Sequence, residues 1–395
     1  MLMQFRANLR HLGFGVLWAA ACLIGAPSQA FETRARAAVI YDQSTSTVLM
    51  EKDADRLLPP ASMSKLMTLY MAFDFIKSGQ LRLDEKLPVS EHAAAYGGST
   101  MFLDTTDRVS VEDLLMGIIV LSGNDACAVI AEALSPDGTE AGFAKLMTQR
   151  ARQIGLTKST FVNSNGWPAA GHLMTMRDLA TLADRLITDF PEFYPMFSAR
   201  EFKFDGRAPA NTRNRNPLLG LDIGADGLKT GHTQEAGYGL VGSALQDGRR
   251  VIFVLSGLDT MQQRADESEA VVNWAFRQFA VKTYGSAGDV IAQAPVWNGA
   301  SKTVGLRLTQ DASALVPILS ENGVTFSVEY DGPLAAPLEQ GREVAQLIIT
   351  VDGLAPRSIP LVADQTVEMG GVITRLTTAA KSLIQTLGTG PEGAF

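Results

Sequence analysis

The sequence predicts an α+β fold, an antiparallel sheet built from both ends of one domain and carrying helices on its two faces. Three observations lead there. The stretch AAVIYDQSTSTVLMEKDAD (37–55) alternates and turns like a β-hairpin, and helical periodicity dominates from Ser62 to about Phe190. Two apolar runs flanking Asp247-Gly248 then return to strand. Strands at both ends with helices between them place the N- and C-terminal segments in one sheet.

The first thirty residues stand apart. Arg6 and Arg10 precede the apolar run FGVLWAAACLIG (14–25), and PSQA ends in small residues, so the pattern is that of an export signal cleaved after Ala30. A transmembrane anchor needs an apolar run of roughly 20 residues, and this one is shorter. Removing the leader takes Arg6 and Arg10 from the 34 Lys and Arg, leaving 32 against 42 Asp and Glu and a net charge of −10. That balance argues against a nucleic-acid partner. Of two cysteines only Cys127 remains, so no internal disulfide forms. Export without disulfides suits a bacterial periplasm.

After the hairpin, KLMTLYMAFDFIKSG reads as a helix stopping at Gly79, and SVEDLLMGIIVL as one capped by Ser110. GFAKLMTQRARQIGL and TMRDLATLADRLITD are further amphipathic helices. AGYGLVGSALQDGRRVIFVLSGL (236–258) is a hairpin, and ESEAVVNWAFRQFA (267–280) a closing helix. Beyond about Thr283 the texture changes. TVGLRL, VTFSVEY and VAQLIITVDG, separated by Gly, Pro and Asp, indicate a small all-β domain to about residue 368. In the tail, Val372, Ile373, Leu376, Ala380, Leu383, Ile384 and Leu387 fall on one helical stripe, suited to the domain's own packing or to a membrane surface. The expected division is 1–30 leader, 31–283 catalytic domain, 284–368 β-rich domain and 369–395 amphipathic tail.

Three short stretches carry chemistry. In PPASMSKLMT (59–68), Ser62 and Lys65 are three apart, so on a helix the amine lies against the hydroxyl. Alone, that pattern is as readily a helix N-terminus beside a solvated lysine. In VLSGNDAC, Ser122, Gly123 and Asn124 stand between apolar helical runs, with Asp125 as the N-cap of the second. DGLKTGHT places Lys229, Thr230 and Gly231 just ahead of the hairpin, where glycine lets a ligand backbone approach a strand edge. The bland alternatives are an interhelical turn and an edge strand with a solvated lysine.

Ser-x-x-Lys, Ser-x-Asn and Lys-Thr-Gly in that order resemble the motif set of penicillin-binding proteins and serine β-lactamases. The chain further resembles the D-alanyl-D-alanine carboxypeptidases, the low-molecular-mass penicillin-binding proteins, in PASMSKLMT, LSGNDAC, NRNPLL, DGLKTGHTQEAGYGLVGSA and RADESEAVVNWAFRQF. The likeness is dense over residues 35 to about 280 and looser beyond. It implies a β-lactamase/transpeptidase-like domain followed by the small β domain and an amphipathic tail resting on the outer face of the inner membrane. The implied partners are peptidoglycan stem peptides ending in D-Ala-D-Ala and β-lactam antibiotics, with no cofactor or metal.

On this reading Ser62 attacks the carbonyl of the penultimate D-alanine and forms an acyl-enzyme. Its base is a neutral Lys65. Bringing an amine from ~10.4 to 7–8 takes about 3 pK units, or ~4 kcal/mol, from burial and a neighbouring cation, for which Lys229 is the expected group. Ser122 relays a proton to the departing nitrogen, and Asn124 holds the substrate amide and orients Lys65. The resemblance assigns the oxyanion hole to the backbone N–H groups of Ser62 and His232. Lys229, Thr230 and Arg215 suit the free substrate carboxylate, since guanidinium binds carboxylates bidentately. Arg264 is a ligand or a support, and Asn163 in FVNSNG fits an Asx turn. The rival readings are a serine β-lactamase, a D,D-endopeptidase and a catalytically dead wall-binding module. Class A β-lactamases carry Asp where Gly123 stands, and no Glu-x-x-Leu-Asn stretch occurs here.

Overall fold

The computed structural model describes residues 31–207, 210–318 and 323–371. The expected leader (1–30) and the tail stripe from Val372 to Leu387 lie outside these residues.

The chain opens with β1 (Ala37–Asp42) and β2 (Thr47–Lys52), paired antiparallel as the hairpin pattern requires. A helical segment follows: α1 (Lys65–Lys77), β3 (Lys86–Pro88), α2 (Glu91–Ala94), β4 (Arg108–Ser110), α3 (Val111–Met116), α4 (Asn124–Leu134), α5 (Glu140–Gln153) and α6 (Met176–Asp189). The chain then returns to the sheet through β5 (Ala225–Thr233), β6 (Gly237–Gln246) and β7 (Arg249–Leu258), and α7 (Met261–Gln278) closes the unit. The sheet order is β2-β1-β7-β6-β5, so β1 pairs with β7, from Ala37 opposite Ser256 to Asp42 opposite Val251. N- and C-terminal segments share one antiparallel sheet, as the sequence indicates.

Strand alternation explains the layers. Ala37, Val39, Ile252 and Val254 face the core made with the α1–α6 segment, while Ala38, Ile40, Val251, Phe253 and Leu255 face Val271, Val272 and Ala275 of α7. Both faces of the sheet are therefore covered. Gly242 on β6 leaves the space that the Phe253 ring fills, since a Cβ there would stand 2.2 Å from its Cζ.

Local signals account for the boundaries. Ser110 and Thr175 cap α3 and α6 by accepting the N–H of Asp113 and Asp178. At the turn of the β6–β7 hairpin both Asp247 (φ 49°) and Gly248 (φ 79°) have positive φ, the requirement of a two-residue primed turn. Two expectations shift. The closing helix begins at Met261, six residues early, because Thr260 caps it and its first two turns are polar. DGLKTGHT lies within a nine-residue edge strand, β5, instead of leading into one.

Among the described residues beyond α7 the regular structure is all β, as the texture change indicates. Phe279–Thr283 pairs with Ser313–Pro317, and six strands between Val290 and Ala363 form a separate sheet. Leu306, Ile349, Ile359 and Leu361 belong to a second core there. Among the described residues no helix is long and apolar enough to cross a membrane.

Phe253 is fully buried at the centre of the α7 face. Phe253→Ala should therefore cost about 3–5 kcal/mol, read as a lower midpoint in urea denaturation.

Candidate active site

Ser62 lies in the 3-10 turn Ala61–Ser64 that runs into α1, not at the helix N-cap, which is Ser64. The turn is tightly constrained. Ala61 has φ 48°, a left-handed conformation that non-glycine residues seldom adopt. Gly166 (φ +81°) packs on it so closely that a Cβ there would stand 1.9 Å from the Ala61 carbonyl oxygen. Gly231 presses from β5, where a Cβ would meet the Pro60 oxygen and Met63 Cγ at 3.0 Å. The glycine of Lys-Thr-Gly thus makes room for the turn that carries Ser62.

Lys65, one residue into α1, is completely buried. Its Nζ lies 2.8 Å from Ser62 Oγ, 2.7 Å from Asn124 Oδ1 and 2.6 Å from the Asn165 carbonyl oxygen. All three neighbours are neutral. Burial, reinforced by the positive Arg215, lowers its pKa to about 8 against weaker opposition from Cys127, Asp125 and Glu140. A neutral amine has two N–H bonds and one lone pair. Asn124 Oδ1 and Asn165 O take the two hydrogens, and the lone pair then faces the Ser62 hydroxyl.

Ser122 follows a π turn (Gly117–Leu121) and is itself left-handed, with φ 62°. Its Oγ accepts from Lys229 Nζ at 3.0 Å. Lys229 is buried rather than solvated, and its pKa is pushed well below the usual lysine value by burial and by the charges on Lys65 and Arg215. Arg215 is the positive neighbour that joins burial in lowering the Lys65 pKa. Asn124 Nδ2 donates to the Gly97 carbonyl at 2.9 Å, fixing the amide so that its oxygen faces Lys65. Asp125 is not the N-cap of α4. It sits in the helix's first turn, and its carboxylate accepts the N–H groups of Met101 and Leu103.

The remaining predicted residues gather on one side. Thr230 is buried on β5 next to Lys229, and the exposed His232 stacks its ring on Tyr238 at 3.9 Å. Arg215 stands exposed at the rim, donating to Ser99 Oγ at 2.6 Å and to Asn211 Oδ1 at 3.2 Å. Arg264 on α7 lies behind it, 4% exposed, donating to the Arg215 carbonyl and standing over the Tyr238 ring. That is a supporting position. Among the described residues no ion pair involves Lys65, Lys229, Arg215 or Arg264, so two guanidinium groups and two buried amines gather without a paired carboxylate. Such a site suits an anion.

Two contributors were not legible beforehand. Asn165 supplies the carbonyl that holds Lys65, and Glu140 holds the loop that carries it. Glu140 is buried, and its oxygens take the Ser164 N–H and hydroxyl, Tyr96 Oη and His92 Nε2. Burial raises the Glu140 pKa, but these hydrogen bonds outweigh it and leave the carboxyl below its ordinary value. In the sequence Glu140 is only an acid in a helix's first turn, which gives no hint of this role. The Asx turn at Asn163 is present, its Oδ1 accepting from Gly166 N at 2.8 Å.

The D-alanyl-D-alanine carboxypeptidase family matches residues 25–260, and the C-terminal domain of penicillin-binding protein 5 matches residues 279–369. D-alanyl-D-alanine carboxypeptidase DacC of Escherichia coli strain K12 is 36% identical over 391 residues, which cover 94% of this chain and 95% of that protein. Penicillin-binding protein 5 from Haemophilus influenzae has a crystal structure similar at a TM-score of 0.76 and 32% identity, over 85% of this chain and 98% of that one. Penicillin-binding protein D2 from Listeria monocytogenes, in its ampicillin-bound form, is similar at a TM-score of 0.56 and 33% identity, over 62% and 98%.

Titration of Lys65 followed by heteronuclear NMR should give a midpoint near 8. Arg215→Ala should move it upward, since a positive neighbour is lost, yet leave it below an exposed lysine because burial remains. A midpoint unchanged by the substitution would remove Arg215 from the account.

Proposed function

The chain belongs to the D-alanyl-D-alanine carboxypeptidase family, and on that footing we propose that it removes the terminal D-alanine from peptidoglycan stem peptides. The reaction passes through an acyl-enzyme at Ser62. The single observation that carries the reading is the Lys65 amine, 2.8 Å from Ser62 Oγ and buried without a counter-charge.

Neutral Lys65 accepts the Ser62 proton as Ser62 Oγ attacks the penultimate D-alanine carbonyl. The oxyanion rests on the backbone N–H groups of Ser62 and His232, the latter acting through its main chain while its ring stays stacked on Tyr238. Ser122, held by Lys229, gives its proton to the departing D-alanine nitrogen and takes one from protonated Lys65, which becomes neutral again. Water then attacks the ester, with Lys65 again as base. The terminal carboxylate binds among Arg215, Lys229 and Thr230, with Arg264 placing Arg215 from behind. An incoming anion favours the protonated form of Lys229 and so restores a charge that burial opposes.

β-Lactams carry a carboxylate next to a strained amide, and the same geometry suits their acylation of Ser62. Rapid deacylation of the class A β-lactamase kind needs a carboxylate free to activate water. The buried candidate, Glu140, spends both oxygens on Ser164, Tyr96 and His92. That favours the carboxypeptidase over the β-lactamase. The proposal includes export to the periplasm through the leader and peripheral attachment to the inner membrane through the tail stripe from Val372 to Leu387, both on sequence grounds.

Penicillin treatment of the mature chain should leave one adduct, on the peptide containing Ser62, and the enzyme should release D-alanine from a D-Ala-D-Ala peptide. In Ser62→Ala both should vanish by mass spectrometry. Full labelling of that variant would refute the assignment of the nucleophile.

A further inference from the structure

Arg215 is an exposed side chain on a loop, yet recognition of a carboxylate needs it at a set distance from Lys229 and Thr230. A long side chain loses rotamer freedom when it grips a ligand, so the order of the loop beneath it decides how much of that grip survives. The residue that supplies the order is its neighbour, Asn216.

Asn216 is 5% exposed, and both ends of its amide are used. Oδ1 accepts the Leu218 N–H at 3.1 Å, an Asx turn within the loop. Nδ2 donates to the Gly227 carbonyl of β5 at 2.8 Å, 11 positions away. The first bond is local. The second ties the loop to the strand that carries Lys229, two residues further on. Asn214 braces the other side of Arg215. Its Oδ1 accepts the Asn216 N–H at 3.0 Å, and its Nδ2 donates to the Ala199 carbonyl at 2.9 Å.

The point to which Asn216 is tied is itself fixed. The β5–β6 register shifts between Ala225 and Gly227, so Asp226 is the extra residue of a β-bulge. Its carboxylate takes two bonds from Arg250, at 2.9 and 2.8 Å, and one from Tyr194 Oη at 2.8 Å. Arg250 also reaches Ser243 Oγ on β6. A Cβ on Gly227 would stand 2.9 Å from Tyr194 Oη, so glycine lets this clamp close against the strand.

Resting on the carboxypeptidase reading, we propose that Asn216 is a positioning residue for recognition of the substrate carboxylate: by tying the Arg215 loop to the β5 bulge at Gly227, it sets the spacing between the Arg215 guanidinium and Lys229. It touches no substrate and acts through Arg215. The consequence is selectivity. A peptide ending in a free carboxylate gains from Arg215 and Lys229 held at one spacing, whereas the same peptide ending in an amide does not.

The test separates the tie from the turn. Asn216→Ser keeps a hydroxyl acceptor for the Leu218 N–H but is too short to reach Gly227. Asn216→Thr does the same with more of the buried space filled, and gives the same comparison should the serine variant not fold in urea titration. The mature chain is given diacetyl-Lys-D-Ala-D-Ala as the free acid and as the C-terminal amide, and release of D-alanine or D-alaninamide gives kcat and KM. Losing the tie should lower kcat/KM for the acid about threefold to tenfold, chiefly through KM, the scale of one hydrogen bond. The amide should stay within about twofold, the margin expected between uncoupled changes. In an Arg215→Ala background the same substitution should cost the acid nothing further, because a residue acting through Arg215 has nothing left to act on. Equal losses on acid and amide, no loss on the acid, or a loss that adds in full to that of Arg215→Ala would overturn the positioning role alone. Failure of the unaltered chain to release D-alanine, or of penicillin to acylate Ser62, would instead bring down the reading on which it rests.

Discussion

An ammonium group taken wholly out of water among neutral oxygens loses far more solvation than three hydrogen bonds return. Lys65 is in that position, and the rest of the site is arranged around it. Its stem leaves the first turn of α1 among fully buried neighbours, Leu66, Met67 and Leu69, and the side chain is itself wholly buried. Asn124 and the Asn165 carbonyl accept its hydrogens without offering a charge. The carboxylates that come nearest in effect, Asp125 and Glu140, are committed elsewhere, to the Met101–Leu103 backbone and to the Ser164 loop. The low pKa of the amine therefore follows from the fold as a whole.

That arrangement draws on segments far apart in the sequence. Lys65 is held by residues 59 and 100 positions downstream, and Lys229 reaches Ser122 across 107. The five-stranded sheet makes this possible, because β1 and β7 join the chain's ends and leave β5 at an edge beside the Ser62 turn. Gly231 and Gly166 then allow β5 and the Asn163–Trp167 loop to close on that turn from two sides. A side chain at either position would push the nucleophile away from the groups that activate it. Left-handed Ala61 and Ser122 are the conformational cost of the same closure, at the turn before the nucleophile and at the proton relay.

Much of this was legible in the sequence, for identifiable reasons. Caps and turns with local chemistry, such as Ser110, Thr175 and Asp247-Gly248, could be read because their partners lie within a few residues. The shared antiparallel sheet could be read from strand signals at both ends of the helical run, and Ser62, Lys65, Ser122, Asn124 and Lys229 from their motif spacing. What could not be read is tertiary. Glu140 looks like any acid in a helix's first turn, and only folding brings Ser164, Tyr96 and His92 to it. Asn165 acts through a backbone carbonyl, which no side-chain pattern reveals. Asp125 resembled a cap because position in sequence cannot show that the Met101–Leu103 backbone reaches it first.

The pH dependence of Ser62 acylation tests the central claim most directly. With Lys65 near 8, about a tenth of the enzyme holds the amine neutral at pH 7. The single-turnover rate of penicillin acylation, followed by intact-protein mass spectrometry, should rise close to tenfold per pH unit below 7. It should then level off through a midpoint near 8. A rate flat from pH 6 to pH 9, or one falling as pH rises, would contradict a buried, deprotonated Lys65 as the base.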